Sequence, residues 1–219
     1  MPKLRKSKFN KNLKTARILP NLKEERNLWK NGHRYVVGVD EVGRGALAGP
    51  VVAAAVAIAD PKNLLKNLPS IKIRDSKRLN QKQRQAIYGW IVKNRSLLYS
   101  TSRVSARTID RLNVRQATLL SMLRAVKKLK CKPSIILIDG IDRLKTKTPQ
   151  YTYIKGDTRI FSIALASILA KVVRDGIMER AAKKYPEYGF EIHKGYATKE
   201  HLRKIKKLGA LSIHRKTFL

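Results

Sequence analysis

Two apolar runs, Tyr35–Val39 and Val51–Ile58, joined through the short Gly43–Pro50 connection, constrain this chain more than any other feature. Each reads as a buried strand. A connection this short leaves no room for a crossover helix, so the strands are expected to be antiparallel neighbours with a functional loop between them. Asp40-Glu41 closes the first run, and Gly43-Arg44-Gly45 follows at once. Adjacent carboxylates are unexpected as decoration in a chain with 49 Lys+Arg against 15 Asp+Glu. They make sense as ligands for divalent ions beside a polyanion.

The remaining pattern is α/β. Leu19–Lys30 reads as a short helix with Pro20 near its start and Gly32 beyond its end. Asp60-Pro61 and Pro69 punctuate a loop that reaches Asp75-Ser76-Lys77, and Asn80 is placed to cap a helix running to about Lys93. Leu97–Val104 is a third strand. Asn113 caps a longer helix, with Leu119, Leu120, Leu123, Val126 and Leu129 as its apolar face. After Pro133, the hydrophobic run Ser134–Ile138 is expected at the sheet centre and delivers Asp139-Gly140. Tyr151–Ile154 is a fifth, short strand. From Ile160 the period turns helical through Ile163, Ala166, Ala170, Val173 and Ile177, with small residues that let the helix approach the sheet. A basic helix over Thr198–Lys207, stopped by Gly209, completes the pattern.

Composition narrows the function. The net charge of +34 predicts attraction to phosphate backbones. Residues 1–17 are expected to form a basic, disordered tail (Lys3, Arg5, Lys6, Lys8, Lys11, Lys14, Arg17), and 18–219 the folded domain. A single cysteine, Cys131, precludes an intramolecular disulfide and a Cys-rich zinc site. Apolar stretches are too short for a membrane span, and no signal-peptide core follows the basic N-terminus, so the cytoplasm is expected. The Thr217-Phe218-Leu219 ending leaves no room for a long clamp-binding motif. A monomer without a protein partner is expected.

Asp40, Glu41, Asp139 and Asp157 each lie at or just beyond a strand end, where side chains distant in sequence converge. Clustered carboxylates repel one another unless cations intervene, and hard oxygen ligands select Mg²⁺ or Mn²⁺. His193, His201 and His214 are scattered and lack the spacing of zinc ligands.

The run Asp40-Glu41-Val42-Gly43-Arg44-Gly45, with Leu47 to Ala55, resembles the ribonuclease HII family. Further blocks follow in the family's order: Asp75-Ser76-Lys77, Asp139-Gly140, Lys155-Gly156-Asp157, Ser162–Lys171 with Arg174-Asp175, Tyr188-Gly189-Phe190, His193-Lys194-Gly195-Tyr196 and His214-Arg215. Arg44, where the related HIII enzymes carry lysine, favours HII. The resemblance implies a ribonuclease H-like fold, a mixed five-stranded sheet flanked by helices with a helical C-terminal region. It implies an endonuclease that cuts the RNA of RNA–DNA hybrids, and 5′ of single ribonucleotides in duplex DNA, leaving 3′-hydroxyl and 5′-phosphate ends. It assigns Asp40, Glu41, Asp139 and Asp157 as ligands of two ions. Gly43, Arg44, Gly45 and Tyr196 become the substrate-reading set, and Lys77 a phosphate contact. Backbone groups of the glycine loop suit a 2′-hydroxyl, which both donates and accepts.

Ala46 stands where many relatives have proline, and Leu165 where alanine is usual. Asp175 rivals Asp157 as the fourth ligand, but its place inside a helix fits an ion pair better. Two other classes share parts of the pattern. A non-catalytic RNA-binding protein would match the charge, yet gains nothing from carboxylates facing phosphates. An integrase-like nuclease would share the acids but not the Gly43-Arg44-Gly45 loop.

Overall fold

Apolar side chains on both faces of the central strands force those strands into the interior, and the sheet forms around them. The computed structural model describes residues 19–74 and 76–219; the expected tail over 1–17 lies outside the described residues. In chain order the elements are α1 (Lys23–Lys30), β1 (Val36–Val42), β2 (Val51–Ile58), α2 (Pro61–Lys66), α3 (Gln81–Lys93) and β3 (Leu97–Val104). Then come α4 (Ala106–Leu112), α5 (Val114–Lys127), β4 (Ile135–Asp139), β5 (Gln150–Tyr153), α6 (Phe161–Lys184), α7 (Phe190–His193) and α8 (Lys199–Leu208).

The five strands are ordered β3-β2-β1-β4-β5. β1 and β2 pair antiparallel, as their short connection requires, and β2 pairs antiparallel with β3. β4 runs parallel to β1, and β5 parallel to β4, so the sheet is mixed. The central strand is β1, with β4 one place to its side; the run expected at the centre is interior but not central.

Side chains alternate across the sheet. Val37, Val39, Ala53, Ala55, Ala57, Ile136 and Ile138 face α5. Val52, Ala54, Val56 and Ile58 face α6 and α3. The expected face of α5 is borne out in part: Val126 and Leu129 are buried, Leu119 and Leu123 pack against the same cluster half-covered, and Leu120 packs against a neighbouring one. Its closest contacts are the smaller Ala117, Ser121 and Ala125, with Met122. The cause lies in β2: a strand surface of alanines lets a helix settle closely, so small residues make the contact. Ser121 Oγ donates to the Ser102 carbonyl at 3.1 Å across that contact.

Helix α6 is buried all round from Phe161 to Ala170, because the sheet lies beneath it and α3 above. Leu165, the larger residue at an alanine position, is fully buried in that contact. Two short helices are additions: α2 lies where a loop is expected, and α4 where the sequence reading assigns no element. Asp60 caps α2, its side chain accepting from Asn63 N, with Pro61 in the first turn. Ser105 caps α4 in the same way, accepting from Thr108 N. Helix α1 starts later than expected, since Pro20 and Asn21 run extended and Asn21 bridges to Ile160.

Candidate active site

Register places the acids. Val39 pairs with Ile138 in the parallel β1–β4 ladder, so Asp40 and Asp139 end adjacent strands side by side. Their parity along the strands gives them the same face, toward α6. Asp40 is 4% exposed, and its carboxyl is raised well above the usual range by burial, then by the charges of Glu41 and Asp139. A hydrogen bond from Ser167 on α6, and the Glu41 amide donating to Oδ1 at 2.7 Å, oppose that rise. Ser167 Oγ in turn lies 3.0 Å from Ser76 Oγ. In the sequence, Ser167 is one of the small residues of this helix within the Ser162–Lys171 block, with no role of its own assigned; its polarity in a largely apolar run is the local signal it offers.

Glu41 is also raised, by burial, with Asp139 pushing the same way and Arg44 opposing both. Arg44 Nη1 lies 3.4 Å from Glu41 Oε1. Beyond β5, Gly156 N donates to Asp139 Oδ1 at 2.6 Å, which sets the next residue, Asp157, beside the strand ends in a buried turn. A Cβ on Gly156 would lie 2.7 Å from the Ile163 side chain, so this turn packs directly on α6. Asp175 makes an ion pair with Lys171 at 2.8 Å within α6, as its helical position suggests. Among the described residues, no group of three or more His, Cys, Asp or Glu side chains is arranged so that it could by itself hold a metal ion.

The Gly43–Pro50 loop is stitched to the C-terminal region. Ala46 bridges to Tyr196 and Ala48 to His214. Leu47 N donates to Gly195 O at 2.8 Å, and Gly49 N to Ile213 O at 2.9 Å. Tyr196, half-buried, therefore stands beside the loop, with the Arg174 guanidinium 5.1 Å from its ring centre. The two glycines of Gly43-Arg44-Gly45 differ. Gly43 has φ +91°, and a Cβ there would meet Arg174 Nε at 2.1 Å; a Cβ on Gly45 would meet nothing within 4 Å. Lys77 is exposed on the short turn that carries Ser76.

The histidines that look scattered in sequence converge. His193 and His201 stack with ring centres 4.2 Å apart, and the Nε2 atoms of His201 and His214 are 3.0 Å apart. Partners fix the protons. His193 Nδ1 accepts from Gly195 N, so Nε2–H donates to Tyr188 O at 2.8 Å. His214 Nδ1 accepts from Leu211 N, so its Nε2–H donates to His201 Nε2, while His201 Nδ1–H donates to Tyr196 O. Each ring is neutral and both its nitrogens are used, which leaves no lone pair for zinc.

This network predicts a pH dependence. Burial holds His201 down at about 4, against 6.5 for an unperturbed imidazole. Between those values the unfolded chain binds the extra proton, so the His201 contribution is complete above 6.5 and drains away as pH falls toward 4. Asp40 and Glu41, raised in the fold, act in the opposite sense. Melting temperature measured from pH 7.5 to 4.5 should therefore fall more steeply in the wild type than in His201→Gln. Equal slopes would remove the histidine from the account.

The family model for ribonuclease HII matches residues 37–219. The chain belongs to the ribonuclease HII family. Ribonuclease HII of Caldicellulosiruptor saccharolyticus is 48% identical over 89% of this chain and 92% of its own length. Among solved structures, ribonuclease H2 of Pyrococcus horikoshii superposes with a TM-score of 0.70 at 29% identity, covering 84% of this chain and 93% of that one. The RNase HII of Archaeoglobus fulgidus, solved as a complex with PCNA, gives 0.68 at 26% identity, covering 83% of this chain and 94% of that one. The fold is thus the ribonuclease H fold, and the chain is a hydrolytic endoribonuclease of a metal-dependent family acting on the RNA of RNA–DNA hybrids. No described helix is long and apolar enough to cross a membrane.

Proposed function

We propose that this ribonuclease HII cuts RNA–DNA hybrids, and duplex DNA on the 5′ side of a single ribonucleotide, with two divalent ions, Mg²⁺ or Mn²⁺, leaving 3′-hydroxyl and 5′-phosphate ends. The observation that carries the reading is the side-by-side placement of buried Asp40 and half-buried Asp139, whose charge raises the proton affinity of Asp40 and Glu41, next to a loop stitched to Tyr196.

Asp40, Glu41, Asp139 and Asp157 are the residues that would hold the ions. The donor set fits: carboxylates crowded out of water lose repulsion only by binding protons or hard cations. Bound there, the ions supply an activated water and stabilise the leaving oxygen of the phosphodiester. Ser167 and the Glu41 amide orient Asp40, and the Gly156 amide orients Asp139. Arg44, 48% exposed at its side chain, meets the largely buried Glu41 through one long contact of 3.4 Å. A contact near the limit of hydrogen bonding holds it loosely, so its guanidinium can turn to a substrate phosphate. Lys77 offers a second phosphate contact. The Tyr196 ring stacks on the sugar next to the reading loop. The open space over Gly45 is room for a ribose to approach the backbone.

Incubation of a DNA duplex holding one ribonucleotide with enzyme and Mg²⁺ or Mn²⁺ tests the reading, with the product ends mapped. One cut 5′ of the ribonucleotide is expected, and none in the all-DNA duplex. Equal cutting of both duplexes would instead support an unselective nuclease. In the same assay, Gly45→Ala should melt like the wild type, because its Cβ meets nothing, yet cut roughly tenfold or more slowly as the sugar is held off the loop.

A further inference from the structure

Two arginines, Arg174 on α6 and Arg215 beyond α8, are fully buried, and neither makes a salt bridge among the described residues. A buried cation without a carboxylate is costly unless other groups solvate it. Here backbone carbonyls do so, and they come chiefly from one loop. Arg215 Nη2 donates to Gly43 O at 2.6 Å and to Gly49 O at 3.0 Å, and Nη1 to Arg44 O at 2.6 Å. Its Nε reaches Gly49 O at 3.2 Å. Arg174 holds the other side: Nε to Pro50 O at 3.0 Å, Nη2 to Ala48 O at 3.1 Å, and Nη1 to Lys194 O at 3.0 Å.

We propose that Arg215 and Arg174 are positioning residues that set substrate specificity, a buried clasp that turns the amides of Arg44 and Gly45 toward the ribose. The inference rests on the proposed function above. Peptide planarity supplies the reason. Every described peptide is trans, so a carbonyl and the following N–H point in opposite directions. Drawing the carbonyls of Gly43 and Arg44 inward onto Arg215 therefore turns the amides of Arg44 and Gly45 outward. Arg44 and Gly45 are the exposed residues of the loop, flanked by buried Gly43 and Ala46. Two adjacent amide donors, backed by two cations, make a receptor for an electron-rich oxygen such as a 2′-hydroxyl. Arg174 also couples the two readers, since it bonds the loop, bonds Lys194 O and lies against the Tyr196 ring.

Lysine separates this role from simple burial of a charge. It keeps the cation but cannot bridge three carbonyls in the plane of one guanidinium. Arg215→Lys and Arg174→Lys are to be compared with wild type in three measurements: cutting of a duplex with one ribonucleotide, inhibition of that cutting by an all-DNA duplex, and Mn²⁺ binding followed by electron paramagnetic resonance. Cutting should fall roughly 10²-fold, as expected when a reacting group is misplaced by about 1 Å. Inhibition by all-DNA duplex and Mn²⁺ binding should be unchanged, because the phosphate contacts and carboxylates remain. Cutting at the wild-type rate by folded variants would overturn the clasp. So would unfolding of both variants, which would make the arginines core supports rather than loop positioners. A parallel loss of all-DNA inhibition would make them general contributors to binding and would also overturn it. If the wild type itself fails to cut at the ribonucleotide, the proposed function is what fails.

Discussion

Asp139→Asn is expected to fold, bind duplex and fail to cut, with a loss on the order of 10²–10³-fold or more. The substitution removes charge and almost nothing else. Asp139 Oδ1 accepts the Gly156 amide at 2.6 Å, and an asparagine carbonyl oxygen can accept the same bond, so the turn carrying Asp157 keeps its place. Asp139 also raises both Asp40 and Glu41 by its charge. Neutralising it relieves that repulsion, so the melting temperature should hold or rise in metal-free buffer. Metal-dependent activity should move the other way if Asp139 is, as proposed, a donor to the ions. Opposite shifts in stability and activity mark a site whose arrangement serves a ligand rather than the fold. Circular dichroism melts without metal, together with cleavage of a hybrid duplex under Mn²⁺, give both readouts. A variant that cuts at the wild-type rate would remove Asp139 from the chemistry.

Much of this was legible in the chain because the informative signals were local. The apolar runs of β2 and β3 fall at their expected bounds, and the short Gly43–Pro50 connection dictated the antiparallel pair. Asn80 and Asn113 cap α3 and α5 as read, each side chain accepting an amide from the first turn. The convergence of Asp40 with Asp139 follows from two strands running parallel, which strand-end placement anticipates. What could not be read depends on how elements meet. His193, His201 and His214 show no spacing rule, because their contact arises from α7, α8 and the following turn folding over one another. Arg174 and Arg215 stand in blocks that carry the family resemblance, but sequence alone assigns them no role among 49 cations. Their burial, and the direction of the carbonyls around them, supply one. The face of α5 was read in part: Val126 and Leu129 are buried as expected, but the alanines of β2 bring the small residues of the helix closest, which the leucine pattern does not show.

Gly38→Ala should be the most damaging small substitution in the sheet. A Cβ at Gly38 would lie 2.3 Å from the carbonyl carbon of Ser162, 2.4 Å from Ile163 N and 2.6 Å from Ser162 O. All three are backbone atoms near the start of α6, so no side chain can rotate away; the helix must lift or β1 must bend. Overpacking of this kind costs about 3 kcal/mol or more. For a chain of this length that corresponds to a fall in melting temperature of roughly 6–12 °C. The consequence reaches the site through the same helix. The Ser162 amide donates to the buried Glu25 carboxylate at 2.8 Å, and one turn further Ser167 hydrogen-bonds Asp40. Lifting α6 therefore loosens the anchoring of α1 and removes a support from Asp40 together. Activity at a temperature where the variant remains folded should be reduced as well, whereas Gly45→Ala should lose activity without losing stability. An unchanged melting temperature in Gly38→Ala would show that α6 does not rest on the strand backbone there, and the route from sheet packing to Asp40 would have to be drawn differently.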